Sequence, residues 1–560
     1  MATVESSTAP GVAVAAAVVL VLVWRPYAVA RAFGRQRIRG PAYRLFVGSD
    51  GEANAMRAAT RGDVLDRRCH DIVPRVMPHY RAWMSRYGKV FVSWSGATPA
   101  LCVGDYAMVK QILSDRTGLY GKPEPEPSIL ALIGNGLIFI GGDDWARHRR
   151  VVHPAFAMDK LKMMAKTMAD CAREVIREWE ARATADGERR VQVEVGGQLQ
   201  ELTADVISHT AFGSSYREGK EVFVAQRELQ SIAFSAINST RFPGSQYIPT
   251  KTNLRRRHLA KKVRGTLMAI IRERQAAAAK EDSGHGNDLL GLMLEANATD
   301  ACGSGGEKSM TMDEIVDECK TFFFAGHDTT SHLLTWAMFL LGTHPEWQHR
   351  LREEVLRECG GGGDTEALPN GDALNKLKLV KSSTKLKAGT VMAGDEQHAF
   401  DDNLCADDDG AVRDAAAMTM VLYETLRLYG PVSMLVRTAT ADAELGGVRV
   451  PKGTMTMMPV AILHRDADVW GADAGEFDPL RFRGGVNKAA AHAGALLAFS
   501  LGQRSCIGQD FAMMEAKTTL AMILRRFAFE VSPEYVHAPL DLLTLQPKCG
   551  LPMVLKLLDQ

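Results

Sequence analysis

Toward the C-terminus a lone cysteine stands between glycines, in Phe499-Ser-Leu-Gly502-Gln-Arg504-Ser-Cys506-Ile-Gly508. A thiolate held in such a tight loop can fill one axial position of a haem iron, where it pushes electron density toward O–O cleavage. Gly502 and Gly508 permit backbone conformations and a close approach to a flat macrocycle that a Cβ would obstruct. Arg504 offers a charged fork to a haem propionate, and Phe499 packs beside the sulfur and keeps water out. Residues 511–527 carry apolar side chains at helical spacing, so Cys506 sits just ahead of a helix N-terminus, whose N–H groups and dipole favour an anionic sulfur. The competing reading is a buried free cysteine in a glycine-containing turn. The agreement of Phe499, Gly502, Arg504, Cys506 and Gly508 within ten residues weighs against it.

A second stretch, 319–341, contains Phe322-Phe-Phe-Ala325-Gly326-His327-Asp328-Thr329-Thr330. Its apolar content suggests a membrane span, but Lys320, His327, Asp328 and His332 would be expensive in lipid, so a long buried helix is expected. Gly326 in mid-helix costs about 1 kcal/mol relative to Ala. The Thr329 hydroxyl can turn back on the carbonyl of Ala325 and loosen the helix locally. A structural reading, in which Thr329 and Asp328 merely satisfy a kink, competes with a catalytic one. Two further patterns lie on helical faces: Glu424-Thr-Leu-Arg427, followed by Arg481, and Trp145-Ala-Arg-His-Arg149. Taken singly, such an ion pair is worth little.

Taken in order, these motifs resemble those of the cytochrome P450 family, from Trp145 to the C-terminus. The resemblance implies a mainly α fold with small β-sheets. It also implies haem b (iron protoporphyrin IX) with Cys506 as metal ligand, and a monooxygenase that uses O₂ and electrons from a membrane-bound NADPH cytochrome P450 reductase. In the family, the residues matching Ala325 and Gly326 leave a groove for O₂, and those matching Thr329 and Asp328 serve oxygen activation and proton delivery. Arg149, with Trp145, and Arg437 fall where the haem propionates are met, beside Arg504. Glu424, Arg427 and Arg481 resemble a buried structural triad.

Residues 319–330, 247–250 and 509–517 resemble the plant branch that oxidises hormones, isoprenoids and fatty acids, including enzymes called cytokinin hydroxylase-like and in-chain fatty-acid hydroxylases. By that analogy the pocket is formed by 128–139, 234–248, His327, 433–435, Leu543 and Thr544, mostly apolar with a few hydroxyls, as suits a small greasy substrate. A haem-thiolate isomerase or dehydratase acting on hydroperoxides, and an inactive haem-binding homologue, are the competing classes.

The elements that must position these residues have room to do so: 560 residues with 46% hydrophobic content can bury a large core. A net charge of +1 gives no case for nucleic acid. Nine scattered cysteines without a CxxC pair fit a reducing compartment. Residues 9–24 are uncharged and apolar, and Arg25, Arg31, Arg35, Arg37, Arg39 and Arg44 follow. As a helix the run spans ~24 Å, slightly less than the ~27 Å hydrocarbon core of the endoplasmic-reticulum membrane. With positive charge after the run and none before it, a single-pass signal anchor in that membrane is expected, with the catalytic body cytosolic. A cleaved signal and an amphipathic surface helix are the alternatives.

The expected layout is a luminal N-terminus (1–8), an anchor helix touching membrane lipid (9–27), a basic, proline-containing linker (28–44) and a catalytic domain (45–560). In that domain, 90–94 and 100–103 alternate like a hairpin, and polar, Gly-containing stretches at 276–287 and 296–309 read as mobile connections. Residues 380–417 interrupt the resemblance, carry an excess of acids and show no apolar period, and so read as a disordered insertion, either translated intron or a genuine surface loop.

Overall fold

The computed structural model describes residues 19–185, 187–213, 216–237, 245–281, 286, 288–301, 310–359 and 417–559. Helices dominate these residues and four small sheets accompany them, which agrees with the expected class.

The central helix, Met312–Thr343, opens with a capping box: the Thr311 hydroxyl accepts from the Glu314 N–H while the Glu314 carboxylate accepts from the Thr311 N–H. From Leu333 to Leu341 every residue is buried, as befits a helix that is apolar all round. The charges that argued against a membrane span are met by protein groups. Lys320 pairs with Asp317 at 2.9 Å, and Asp328 accepts from Thr544 Oγ1 at 2.6 Å. Helix Val195–Phe212 packs closely along this helix, because a Cβ on Gly326 would stand 2.7 Å from Ile207 Cδ1. Gly326 therefore serves helix packing as well as the cavity it borders.

The expected hairpin is present as Val90–Ser95 and Thr98–Val103, with Val90 opposite Val103. Burial does not alternate along it, because both faces are covered: Phe91 lies against Tyr80 and Trp83, whereas Val92 joins the main core. The sheet extends through Met455–Met458, parallel to Thr98–Val103, then antiparallel to Leu435–Ala439, and ends at Tyr120–Gly121. A second sheet joins Arg190–Glu194 and Phe527–Val531 on either side of Pro552–Leu557.

Three expectations are adjusted here. Residues 1–18, most of the expected anchor, lie outside the described residues, and among those described no helix is long and apolar enough to cross a membrane. The turn Leu20–Trp24 runs into helix Arg25–Arg35, whose Phe33 is fully buried, so part of the expected linker is a packed helix. The expected mobile connections begin as helix: Lys251–Glu281 continues through 276–281, where four alanines favour it, and Leu289–Ala301 continues past 296.

Of the expected insertion, 380–416 lies outside the described residues. The helix after it, Ala417–Tyr429, is held at its start by Glu354 of helix Pro345–Cys359, whose carboxylate accepts from the N–H groups of Ala417 and Met418 at 2.9 Å each.

The cap of the central helix yields a pH test. Hydrogen bonding from Arg147, opposed by partial burial and aided by Thr311 and His148, holds the Glu314 carboxyl at about 2 against an ordinary 4.5. A depressed carboxyl contributes stability that is present above its unfolded pKa and lost as pH falls through the folded one. The stability difference between the natural protein and Glu314→Gln should therefore be largest near neutrality and shrink between 4.5 and about 2, as followed by denaturant titration at each pH.

Candidate active site

A cavity of about 1620 Å³ runs between the central helix, the Cys506 loop and the five-stranded sheet. That exceeds the ~300–1,000 Å³ filled by one drug-sized ligand, leaving room for a large planar group and a second molecule. Cys506 has accessible surface, and it lies on the cavity wall. Its loop is fixed by backbone bonds, Cys506 N–H to the Phe499 carbonyl at 2.9 Å and Ser505 N–H to the Gly502 carbonyl at 3.1 Å. Gly502 is obligatory here: its φ is +70°, and a Cβ would stand 2.3 Å from the Leu113 carbonyl oxygen. Gly508 ends the loop as the residue before helix Gln509–Arg526. Although the sulfur reaches the cavity, desolvation by the protein enclosing it raises the Cys506 thiol, while the Gly508 N–H and the Arg149 guanidinium draw it down. These are the groups that would steady a thiolate.

Cations gather near the cysteine loop. The Trp145 ring carries Arg504 Cζ at 4.5 Å and Arg149 Cζ at 6.0 Å from its centroid, and Arg149 Nη1 donates to the Ser505 carbonyl at 3.1 Å. Lys122 joins them, because the pairing of Gly121 with Thr438 brings it beside Arg437. Burial, then Arg437 and Arg504, pushes Lys122 down to about 7. Burial, then Arg437 and Arg149, brings Arg504 to about 10. No carboxylate offsets either shift, and Arg504 Nη1 is buried without a hydrogen-bond partner among the described residues. Buried cations without anions are costly, so a ligand with carboxylates is what this end of the cavity lacks. Haem, with its propionates and an iron for the sulfur, fits that description.

Over the same cavity the central helix presents Ala325, Gly326, Thr329 and Thr330. The Thr329 hydroxyl donates to the Ala325 carbonyl at 2.7 Å, the local turn expected from the sequence. The carbonyl of His327 accepts from Thr203 Oγ1 at 3.0 Å, so a neighbouring helix takes up a second backbone group of this turn. Asp328 is buried outside the cavity lining. Its carboxylate accepts from Thr544 at 2.6 Å and from Gln230 Nε2 at 3.2 Å, with His332 Nδ1 at 3.8 Å. It thereby ties the central helix to helix Tyr216–Ile237 and to the turn at Leu543.

The expected triad is present in unequal parts. Glu424 and Arg427 form a bidentate pair, both contacts at 2.7 Å, with fully buried side chains. Arg481 approaches Glu424 only to 3.7 Å; its closer partners are the Trp470 carbonyl at 2.7 Å and Asp473 at 2.8 Å. His464, which the motifs did not single out, connects the pair to the cysteine loop. Its Nδ1 meets the Arg427 carbonyl at 3.1 Å, and its Nε2 accepts from the Leu497 N–H at 2.8 Å.

Most expected pocket segments do line the cavity, including Ile133 and Phe139, Ser235 and Ala236, Met434 and Leu435, and Leu543 with Thr544. His327 does not: its ring packs edge-on against Phe223, and Nδ1 is turned to the Phe323 carbonyl at 2.5 Å. Arg437 is buried behind the lining, with Nη1 on the Val436 carbonyl at 2.9 Å. Residues 128–133 fall in a short helix, Pro127–Ile133. Lys122 and Ile207 line the cavity without having been marked by any motif.

A lone cysteine in a helix-capping loop, cations beside it with no carboxylate partner among the described residues and a hydroxyl-bearing turn across an apolar chamber define a haem-thiolate enzyme. The family model for Cytochrome P450 matches residues 71–385 and 411–551, and the chain belongs to that family, as a monooxygenase. It is 41% identical to Cytochrome P450 709B1 of Arabidopsis thaliana over 96% of this chain and 95% of that protein. It is 42% identical to Cytochrome P450 709B3 of the same plant, over 96% and 94%. Cytochrome P450 734A6 of Oryza sativa subsp. japonica is 40% identical, over 97% and 94%.

Two substitutions test this geometry. Arg504→Leu should lower the haem-to-protein ratio of the purified enzyme several-fold at unchanged helicity; an undiminished ratio would mean that the cation cluster serves another ligand. Arg427→Met strands a buried carboxylate and should cost ~3–5 kcal/mol in denaturant unfolding.

Proposed function

We propose that this chain hydroxylates a small apolar substrate, of the class of a plant hormone such as a cytokinin, an isoprenoid or a fatty acid, with O₂ and electrons from NADPH cytochrome P450 reductase. The observation that carries the reading is the shared cavity, in which Cys506 and Thr329 face one largely apolar chamber. Haem b bound to Cys506 would supply the activation of O₂ and the transfer of one oxygen atom to a C–H bond.

The protein's own part is positional. Arg149, Arg504 and Lys122 would hold the propionates, with Arg437 behind the lining and the Trp145 ring packed against the Arg149 and Arg504 guanidinium groups. Phe499 shields the sulfur. Ala325 and Gly326 supply the least side-chain bulk where O₂ must fit. Thr329 holds a hydroxyl that can leave the Ala325 carbonyl and turn into the cavity, and Asp328 keeps a carboxylate one residue away for proton supply. Ile133, Phe139 and Leu543 exclude water and set the substrate's approach.

The same reading places residues 9–27 in the endoplasmic-reticulum membrane with the body on the cytosolic side. Supporting it, Val21, Val23 and Trp24 expose apolar side chains, and Val21 and Leu22 border the cavity, so a greasy substrate meets its mouth beside the membrane. Residues 380–417 are read as inserted into the catalytic domain, in keeping with a family match that breaks off across 386–410.

Carbon monoxide added to the reduced protein should give the thiolate-type absorption band, and Cys506→His should abolish it. Turnover on panels of cytokinins and fatty acids should require NADPH and reductase; product formed without either identifies a hydroperoxide isomerase instead. Thr329→Val should lower product formed per NADPH consumed several-fold while leaving the carbon monoxide band in place.

A further inference from the structure

Away from the haem cavity, helices Met158–Ala185 and Val195–Phe212 bring together Cys171, Asp205 and His209. Their donor atoms all lie within 4.8 Å of one another. Asp205 and His209 are one helical turn apart, with carboxylate oxygen and Nε2 at 3.5 Å, and the Cys171 thiol hydrogen-bonds to Asp205. Around a tetrahedral zinc with bonds of ~2.0–2.3 Å, neighbouring ligand atoms stand roughly 3.3–3.8 Å apart. The spacing of Asp205 and His209 falls in that range.

A second observation comes from the core side. Helix Gln509–Arg526 packs along Met158–Ala185 and carries Glu515, which is 0% exposed. Neither of its carboxylate oxygens has a hydrogen-bond partner among the described residues. It lies close enough that, once ionised, it would act on the Cys171 thiol. Burial pushes its carboxyl well above the ordinary 4.5, so a group so placed keeps its proton unless a cation comes near it. None of these four residues lines the large cavity, so haem does not provide one. A thiolate, an imidazole and carboxylates form a borderline-soft donor set that suits zinc better than calcium or magnesium.

We propose that Cys171, Asp205 and His209 bind one zinc ion, with the buried Glu515 as charge partner behind them. Binding breaks the Cys171 S–H bond and forms a Zn–S bond, and the proton leaves to solvent past the part-exposed His209 ring. The ion would then clamp helix Met158–Ala185 to helix Val195–Phe212.

The test uses the full-length, haem-loaded protein with Cys69, Cys302, Cys359, Cys405 and Cys549 replaced by serine, treated with a chelator and then given Zn²⁺ alone or Cd²⁺ alone. The expected results are one zinc per chain by elemental analysis, a thiolate-to-cadmium charge-transfer band, and a higher unfolding temperature with either ion. Cys171→Ser should remove the band. His209→Ala should weaken zinc binding more than the ~10–100-fold lost with an outer-shell partner, and because the His209 side chain is part-exposed and outside the core, an unchanged haem spectrum separates ligand loss from misfolding. Absence of stoichiometric zinc, a cadmium band that survives Cys171→Ser, or unaltered affinity in His209→Ala would each overturn the proposal.

Discussion

The carboxylate of Glu424 is fully buried in the core, and the groups around it are arranged to satisfy it and its partner. Both oxygens accept from Arg427, and one also accepts from the Asp478 N–H at 3.0 Å. The remaining Arg427 donors reach the carbonyls of His464, Ala474 and Glu476. A buried ion pair is stable only when such leftover donors are taken up, so residues 464–478 have to wrap around it. His464 then passes the constraint to Leu497, at the approach to the cysteine loop. The placement of one sulfur is thus set by a helix far upstream in sequence.

The second constraint is electrostatic. The cysteine loop collects cations at its flank, while the rest of the cavity is mainly apolar. A ligand with carboxylates on one edge and a flat apolar body can enter such a cavity in one sense only. Lys122 sharpens that polarity, since its proton is held loosely until an anion arrives.

Contiguous motifs carried most of the site. The cysteine loop, the Thr329 turn and the Glu424–Arg427 pair depend on neighbours within a few residues, and each is found in the geometry its spacing implied. What spacing could not show were contacts made by distant pairing. Lys122 reaches the cations only because Tyr120–Gly121 ends the five-stranded sheet. His464 acts through partners on both sides of it in sequence, and Asp473 takes the closer contact with Arg481 because its loop is already bent by Arg427. His327 sits in the expected segment, yet helical phase turns it to Phe223 and away from the cavity. Alternation in the hairpin marks a choice between two buried faces, which only the packed elements on either side define.

The clasp between Glu354 and the first N–H groups of helix Ala417–Tyr429 has an architectural consequence. That helix bears Glu424 and Arg427, and it takes its position from a carboxylate on Pro345–Cys359 as well as from its own packing. The frame on which the sulfur is hung is therefore pinned at both ends of its helix, by Glu354 at the first turn and, at the last, by the carbonyls of residues 464–476 gathered around Arg427.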